Sequence, residues 1–184
     1  MLVFILLFLV DPASCGGTGS KAPKLPQMRN ATLSDLMSFL GTGELIWQSK
    51  SNLTTSRIYC HSWKKRSLEN DTYMYYYNFE VNQLRLSGTK EATLSNWTGK
   101  PTMTITKSDL KPVRMITMYT MEKFGQEENC AIFKQVTGKG HAGAICSQYV
   151  FNSTVGRTPG CDEEYKKTCG DRFHEMYKSG CQKN

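Results

Sequence analysis

Cysteine is the residue type in this sequence whose number and spacing point most directly to chemistry. The chain has 7 cysteines, and the last three, Cys161, Cys169 and Cys181, lie within twenty-one residues. If Cys15 is lost with an N-terminal leader, six remain, and in an oxidising compartment six cysteines form three disulfides with fifteen connectivities open. Because these last three lie too far apart along one helix to bridge one another, each must find its partner elsewhere in the chain.

Metal binding and catalysis are the competing uses of such residues. No Cys-x-x-Cys pair occurs, and the three histidines, His61, His141 and His174, are scattered along the chain, so we expect no metal site. Neither a Gly-x-Ser-x-Gly nor a His-Glu-x-x-His motif is present, and three disulfides leave no free cysteine as a nucleophile. We therefore expect a binding protein that uses no cofactor, and not an enzyme.

The N-terminus indicates export from the cell. Nine apolar residues, Leu2 to Val10, are followed by Asp11 and by small residues up to Cys15. The apolar stretch is far shorter than the roughly 20 residues that a membrane-spanning helix needs, and its flanks are typical of a signal peptide. We predict a signal peptide over residues 1–15, a secreted mature chain and no membrane span.

Glycosylation motifs favour the same compartment. Five Asn-x-Ser/Thr sequons are spread over the whole chain, and such motifs are glycan acceptors on the surface of secreted proteins. We predict glycans at Asn30, Asn52, Asn70, Asn96 and Asn152.

Composition and charge limit the class of partner. The chain carries a formal net charge of +7, and 39% of its 184 residues are hydrophobic, as expected of a globular protein. Its basic residues form runs only at 64–66 and 166–167, so we interpret them as solvated surface and expect no nucleic-acid partner. We divide the mature chain into a flexible Gly/Pro-rich segment, residues 16–28, and a single domain, residues 29–184, which we expect to be a monomer.

Hydrophobic periodicity predicts a β-rich domain with a helix at each end. Thr32 or Ser34 is placed to cap a short amphipathic helix that Gly41 ends. Eight or nine short strands follow, with no helix between them. The predicted strands are Glu44–Ser49, Arg57–Arg66, Thr72–Asn82, Leu84–Leu86, Glu91–Leu94, Thr102–Thr106, Val113–Met121, Cys130–Val136 and Ala144–Phe151, with a turn at Gly88.

Such a meander closes most naturally as an all-β, eight-stranded antiparallel up-and-down barrel, whose interior holds one small ligand. A two-sheet sandwich is the alternative that the pattern leaves open. We predict that the segment Cys161–Cys181 is a helix packed on the barrel wall, with Gly170 as a weak point that costs about 1 kcal/mol relative to alanine. The stripe that faces the wall would be Tyr165, Cys169, Phe173 and Met176.

The chain resembles a known family at this point. A cysteine within RIYCHSW, an Asn-Cys strand in ENCAIF, the cysteines of the C-terminal helix, and the strands ELIWQS and YMYYYNFEV are together similar to the secreted salivary lipocalins of ticks, which include histamine-binding proteins. The resemblance covers essentially the whole mature chain and implies a lipocalin-type barrel. It also implies the pairs Cys60–Cys181 and Cys130–Cys161, which leaves Cys146 and Cys169 as the third pair.

This resemblance implies capture of a small host mediator, such as histamine, to suppress host defence. A cationic amine taken out of water needs buried carboxylates, but the three stretches that supply them in histamine-binding relatives contain no Asp or Glu here. Glu80 and Glu122 are the strand carboxylates that we expect to be able to point inward. We therefore keep amine binding open as one hypothesis.

An apolar lipid such as a leukotriene, a fatty acid or a sterol is the alternative ligand. Flexible methionines and aromatic strand faces suit an adaptable apolar pocket, and Lys107, Arg114 or Lys134 at the mouth would pair with a lipid carboxylate. Contact with a host protein through the loops is a third hypothesis. The candidate apolar residues are Trp47, Tyr75, Tyr77, Phe79, Met103, Ile105, Met115 and Met118.

Overall fold

The computed structural model describes residues 24–53, 57–109, 116–138 and 144–182. The predicted signal peptide and residues 16–23 of the predicted flexible segment lie outside the described residues, as do Arg114, Met115 and His141. Within the described ranges, no helix has the length and apolar character needed to cross a membrane.

Eight long antiparallel strands form a closed barrel, which confirms the predicted fold class. In chain order the elements are β1 (Arg29–Asn30), α1 (Leu33–Leu40), β2 (Leu45–Ser51), β3 (Ile58–Glu69), β4 (Thr72–Val81), β5 (Leu84–Trp97), β6 (Lys100–Ser108), β7 (Thr117–Gly125), β8 (Cys130–Thr137), β9 (Ile145–Phe151), α2 (Pro159–Cys169) and β10 (His174–Glu175). Each strand from β2 to β8 pairs with the next, and β9 pairs with both β8 and β2, so the sheet closes on itself and the sandwich alternative is excluded.

The strand prediction is wrong in β5, and the ends of other predicted strands also differ, most at β7, which ends at Gly125 and not at Met121. Two short strands with a turn at Gly88 were expected, but the residues form one continuous strand in which Gly88 lies opposite Tyr77. The reason is cross-strand pairing: all ten residues of β4, from Thr72 to Val81, pair with β5 in an unbroken register. The pairing holds the glycine in an extended conformation that its local propensity does not favour.

The short helix α1 plugs one end of the barrel. Thr32 caps it, because its side chain accepts a hydrogen bond from the backbone N–H of Asp35, and Asp35 accepts one in return from the backbone N–H of Thr32. Leu36, Phe39 and Leu40 are buried. We call this half of the barrel the closed half; the open half ends at the β2–β3, β4–β5, β6–β7 and β8–β9 connections.

The C-terminal segment is not one helix, which corrects the prediction over Cys161–Cys181. The helix α2 ends at Cys169, because Gly170 has φ +89° and starts an extended path that leaves the helix axis. The two-residue strand β10 then pairs with β2, and a 3-10 turn at Ser179–Gln182 follows. The weak point at Gly170 is therefore a helix end.

Three disulfides tie this segment to the barrel wall. They join Cys60 to Cys181, Cys130 to Cys161 and Cys146 to Cys169, the same pairs that the resemblance implies. Cys60, Cys130 and Cys146 lie on β3, β8 and β9, so each bridge reaches a different strand.

Candidate functional site

Trp63 is the centre of the barrel interior. Its side chain is 0% exposed and stacks on Tyr149 with ring centroids 4.2 Å apart. Tyr119, Tyr75 and Phe133 meet it edge-on at 5.4, 5.7 and 6.0 Å. These residues converge because side chains at alternate positions of each strand point inward, here from β3, β4, β7, β8 and β9.

Five tyrosines share this interior, and we call them the tyrosine cluster. Burial raises the pKa of each phenol above its ordinary value, so all five remain protonated at physiological pH. A protonated phenol both donates and accepts hydrogen bonds, so the interior is aromatic without being purely apolar. The members of the cluster are Tyr73, Tyr75, Tyr77, Tyr119 and Tyr149.

A chain of four hydrogen bonds runs from Trp63 towards the open end. Trp63 Nε1 donates to His61 Nε2 at 3.2 Å, and since indole is only a donor, the imidazole proton lies on Nδ1. That proton is donated to Gln48 Oε1 at 2.8 Å, and Gln48 Nε2 donates to Ser147 Oγ at 2.7 Å. Ser147 Oγ donates in turn to Ser51 Oγ at 3.1 Å. We call these five residues the polar chain.

His61 is uncharged in this chain. Burial, and to a lesser extent the charge of Lys90, lowers the pKa of His61 to about 3. The imidazole therefore serves as a neutral relay between Trp63 and Gln48, because a protonated ring would have no lone pair with which to accept the indole N–H.

Lys90 is a cation on the inner face of the open half. It lies directly opposite Tyr75 on β4, and its Nζ is 4.2 Å from the ring centroid of Tyr77, at the distance of a cation–π contact. Burial lowers the pKa of this ammonium, and the charge of Asp109 partly offsets that effect. Lys90 thus carries a partly desolvated positive charge beside the tyrosine cluster.

No carboxylate lies among these interior aromatic side chains. The chain has 16 acidic residues, and all of them except Asp11 lie in the described part of the structure. Most form ion pairs on the outer wall or extend into solvent, Asp35 pairs with Arg29 beside α1, and Glu128 accepts two backbone N–H groups at the start of α2. The outer-wall pairs are Glu80–Arg85, Glu91–Lys107, Glu122–Lys100, Glu164–Lys123 and Asp162–Lys50.

Asp109 is the carboxylate that borders the open half. Its Oδ2 accepts hydrogen bonds from the backbone N–H and the hydroxyl of Thr89, at 2.7 and 2.8 Å. Its charge acts on both Lys90 and Tyr77. Asp109 is exposed, so it forms part of the rim and not of the buried interior.

The structure brings part of the predicted ligand set into the barrel. Tyr75 and Tyr77 lie in the interior cluster with Met103 and Ile105. Phe79 is half-buried and stacks on Tyr77 at 6.0 Å, near the end of β4. These are the inward positions that strand alternation predicts.

Four of the predicted residues are not in the interior. Trp47 packs outside the wall against Tyr177 and donates its indole N–H to Asn152 at 2.9 Å. Met118 pairs with Thr104 and Val136, on the face opposite to the buried Tyr119. The expectation that Glu80 or Glu122 points inward is corrected, because Arg85 holds Glu80 at 3.7 Å and Lys100 holds Glu122 at 2.8 Å on the outer wall.

Sequence reasoning missed His61, Gln48 and Lys90 as interior residues. The alternation of Tyr59, His61 and Trp63 put His61 on the face of an aromatic residue, and that was an available signal. A backbone irregularity complicated it, because the register of β3 against β4 shifts between Tyr59 and Ser62, where Cys60 has φ +53°. Lys90 lay at the predicted break between two strands, so no face was assigned to it.

Two adjoining cavities lie beside strands β2 to β5 on the outside of the wall. One, of about 570 Å³, lies between the C-terminal 3-10 turn and strands β2 to β5, and the other, of about 660 Å³, adjoins it. They share Leu45, Asn78 and Ser87. Within the described ranges there is no group of three His, Cys, Asp or Glu side chains that would hold a metal ion.

No protein-family model and no curated protein matches the sequence. Solved structures resemble it in fold. Japanin from Rhipicephalus appendiculatus bound to cholesterol has a TM-score of 0.54 and 12% identity, covering 74% of this chain and 93% of its own. AM182 in complex with serotonin has a TM-score of 0.54 and 17% identity, covering 78% and 91%.

Crustacyanin H1 from the lobster Homarus americanus is similar to the same degree. Its TM-score is 0.55 at 12% identity, and the match covers 89% of this chain and 96% of the lobster protein. At such low identity the likeness concerns architecture, namely a closed eight-stranded barrel with a helix on its wall. The chain therefore has the lipocalin-type barrel fold.

Proposed function

We propose that the protein binds a small, mainly apolar molecule that carries an acidic group, inside the open half of the barrel. The observation that carries this proposal is the charge of the interior: Lys90 supplies a partly buried cation, and no carboxylate lies among the aromatic side chains around it. An acidic head group would pair with Lys90, and the apolar body would pack on Trp63 and its aromatic neighbours. The role is binding and not catalysis.

A biogenic amine is the second candidate, since the resemblance implies it. A buried ammonium would need a carboxylate partner, and Asp109 at the rim is the acidic residue that borders the site. That carboxylate already accepts two hydrogen bonds from Thr89 and lies in the field of Lys90. An incoming amine would be repelled by Lys90, so the geometry favours the acid over the amine.

The extracellular setting is part of the proposal. Three disulfides are typical of secreted proteins. The asparagines of four predicted sequons, Asn30, Asn70, Asn96 and Asn152, are exposed, while Asn52 is half-buried and accepts a hydrogen bond from the backbone N–H of Cys146 at 2.8 Å. On the resemblance to tick salivary lipocalins, we propose a secreted glycoprotein that sequesters a host lipid mediator and so suppresses host defence.

Titration calorimetry on the full chain expressed through a eukaryotic secretory pathway tests the proposal. Arachidonate and cholesterol are compared with histamine and serotonin, and native mass spectrometry of the same preparation detects a co-purified acid. We expect arachidonate to bind and both amines to fail. Tighter binding of either amine than of arachidonate would establish the second candidate, and binding of none of the four would favour action through protein contacts.

A further inference from the structure

Two buried hydroxyls of the tyrosine cluster have no hydrogen-bond partner. The phenol oxygens of Tyr73 and Tyr75 are inaccessible to solvent, and no described group donates to or accepts from either of them. Both side chains are 0% exposed. A buried hydroxyl without a partner destabilises the folded state, because the group has lost its water and gained nothing in return.

The two hydroxyls belong to one local arrangement. Tyr73 and Tyr75 are two positions apart on β4, and their rings stack with centroids 4.8 Å apart and an interplanar angle of 16°. Directly opposite them on β5 are Ala92 and Lys90. The small side chain of Ala92 and the displacement of the Lys90 ammonium towards Tyr77 leave these phenols without a polar neighbour on that strand.

We propose that the hydroxyls of Tyr73 and Tyr75 form a donor pair that holds an oxygen atom of the bound ligand. This inference rests on the proposed function. It narrows the ligand class from apolar acids in general to acids with an oxygen atom that reaches past Lys90 towards the closed half of the barrel. The oxygen belongs either to the acid itself or to a second group, such as a ketone, farther along the molecule. Either source satisfies both donors when the ligand binds.

The phenols remain suited to this role over a wide pH range. Burial raises the pKa of both hydroxyls, so they keep their protons and act as donors towards an oxygen acceptor. A ligand whose oxygen accepts both hydrogen bonds binds more tightly, whereas a hydrocarbon of the same shape would leave both donors without a partner. The pair therefore discriminates between ligands by their oxygen and not by their size.

Removal of the hydroxyls has opposite effects on the empty and on the loaded protein. In Tyr73→Phe/Tyr75→Phe the ring packing remains while the unpartnered groups are lost, so the melting temperature of the ligand-free protein rises by about 2–4 °C. The same change weakens binding of the ligand oxygen by about tenfold. A residue with a purely structural role would not shift these two quantities in opposite directions.

The experiment combines differential scanning calorimetry with titration of a matched series of acids. The probes are stearate and a series of ketostearates with the ketone at successive carbons, so that the head group is constant. Tyr76→Phe is the control, because Tyr76 is exposed on the outer face of the same strand. We expect the double variant, and not the control, to lose about tenfold in affinity for at least one of these acids.

Two results would overturn the donor pair. One is an unchanged or lower melting temperature of the ligand-free double variant, since the hydroxyls would then already be satisfied by water. The other is equal affinity of the unmodified protein and the double variant for every acid in the series. Failure of the unmodified protein to bind any of these acids would instead contradict the proposed function itself. The single variants Tyr73→Phe and Tyr75→Phe repeat both measurements if the double variant does not fold.

Discussion

The two halves of the barrel are built on the same eight strands but differ in chemistry. In the closed half, Phe39 of α1 stacks on Phe151 at 5.0 Å and meets Phe124 edge-on at 6.2 Å, so the end is sealed by apolar packing. In the open half, the inward positions of the same strands carry His61 and Lys90. The difference teaches that apolar packing seals one end of the barrel, whereas its polar and charged inward side chains lie towards the other end. Loss of the plug should therefore lower stability more than it changes ligand affinity.

Loss of the plug should have the largest effect. Phe39→Ala removes a side chain that is 1% exposed and leaves a cavity under α1, so we expect the free energy of unfolding to fall by about 3–5 kcal/mol. Urea denaturation measures this change. The control is Trp97→Ala, which truncates a side chain that is 55% exposed and should change stability by less than about 0.5 kcal/mol.

A small effect of Phe39→Ala would contradict the stabilising role that we assign to the plug. The comparison would also fail if Phe39→Ala, still folded below its midpoint, bound arachidonate with strongly altered affinity. In that case the plug would itself belong to the ligand site.

Removal of a disulfide in the open half should have the next largest effect. Cys60 and Cys181 are 121 residues apart in sequence, so their bridge restricts the unfolded chain strongly, and Cys60→Ala/Cys181→Ala should cost about 2–4 kcal/mol. The matched variant is Cys146→Ala/Cys169→Ala, whose separation is 23 residues, and chain entropy predicts a cost about 1.5 kcal/mol smaller. Equal losses in the two variants, measured by urea denaturation, would show that strain or packing outweighs chain entropy here.

The polar chain predicts a dependence of stability on pH. The pKa of His61 is about 3 in the folded protein and about 6.5 in an unfolded chain. Between these values the unfolded state binds the extra proton, so the contribution of His61 to stability is complete above pH 6.5 and is lost as the pH falls towards 3. His61→Asn should abolish about 2 kcal/mol of the stability loss between pH 6.5 and pH 4.5.

Urea denaturation of both proteins at the two pH values gives this difference. The carboxylates titrate equally in both proteins, so their contribution cancels in the comparison. An identical loss of stability in the variant and the unmodified protein would mean that the pKa of His61 is not lowered in the folded state, and that the ring is protonated there at pH 4.5.

The fold could be predicted from the sequence because its signals are local or repeated. The capping by Thr32, the alternating aromatic residues of β4 and the turn residues between strands each follow from the pattern of a few neighbours. The long strand β5 could not be predicted, since Gly88 is held extended by its pairing with β4. The sequence indicated that Gly170 would weaken the C-terminal helix, but it did not predict that the helix ends there.

The site was harder to predict than the fold. Period-2 alternation placed Tyr75 and Tyr77 inside correctly, because β4 is regular. It was not followed through for the polar chain. His61 alternates regularly with Trp63 and could have been placed inside, whereas on β2 the aromatic Trp47 was expected inside instead of its neighbour Gln48. Alternation also could not predict which face of β7 carries Glu122, because the register of β7 against β8 shifts between Met121 and Lys123. An irregular backbone thus limited the prediction at Glu122, and the expectation that the aromatic residue of a strand faces inward limited it at Gln48.

The charge of the interior is tested most directly by replacing its cation. Titration calorimetry with arachidonate compares the unmodified protein, Lys90→Gln and the control Lys107→Gln, whose lysine is exposed and pairs with Glu91 on the outer wall. We expect Lys90→Gln to weaken arachidonate binding by about tenfold or more. Lys107→Gln should bind arachidonate as tightly as the unmodified protein does. The uncharged methyl ester of arachidonate should bind all three proteins with similar affinity. Equal affinity of Lys90→Gln and the unmodified protein for arachidonate, or tight binding of histamine by the unmodified protein, would contradict an acid-binding barrel.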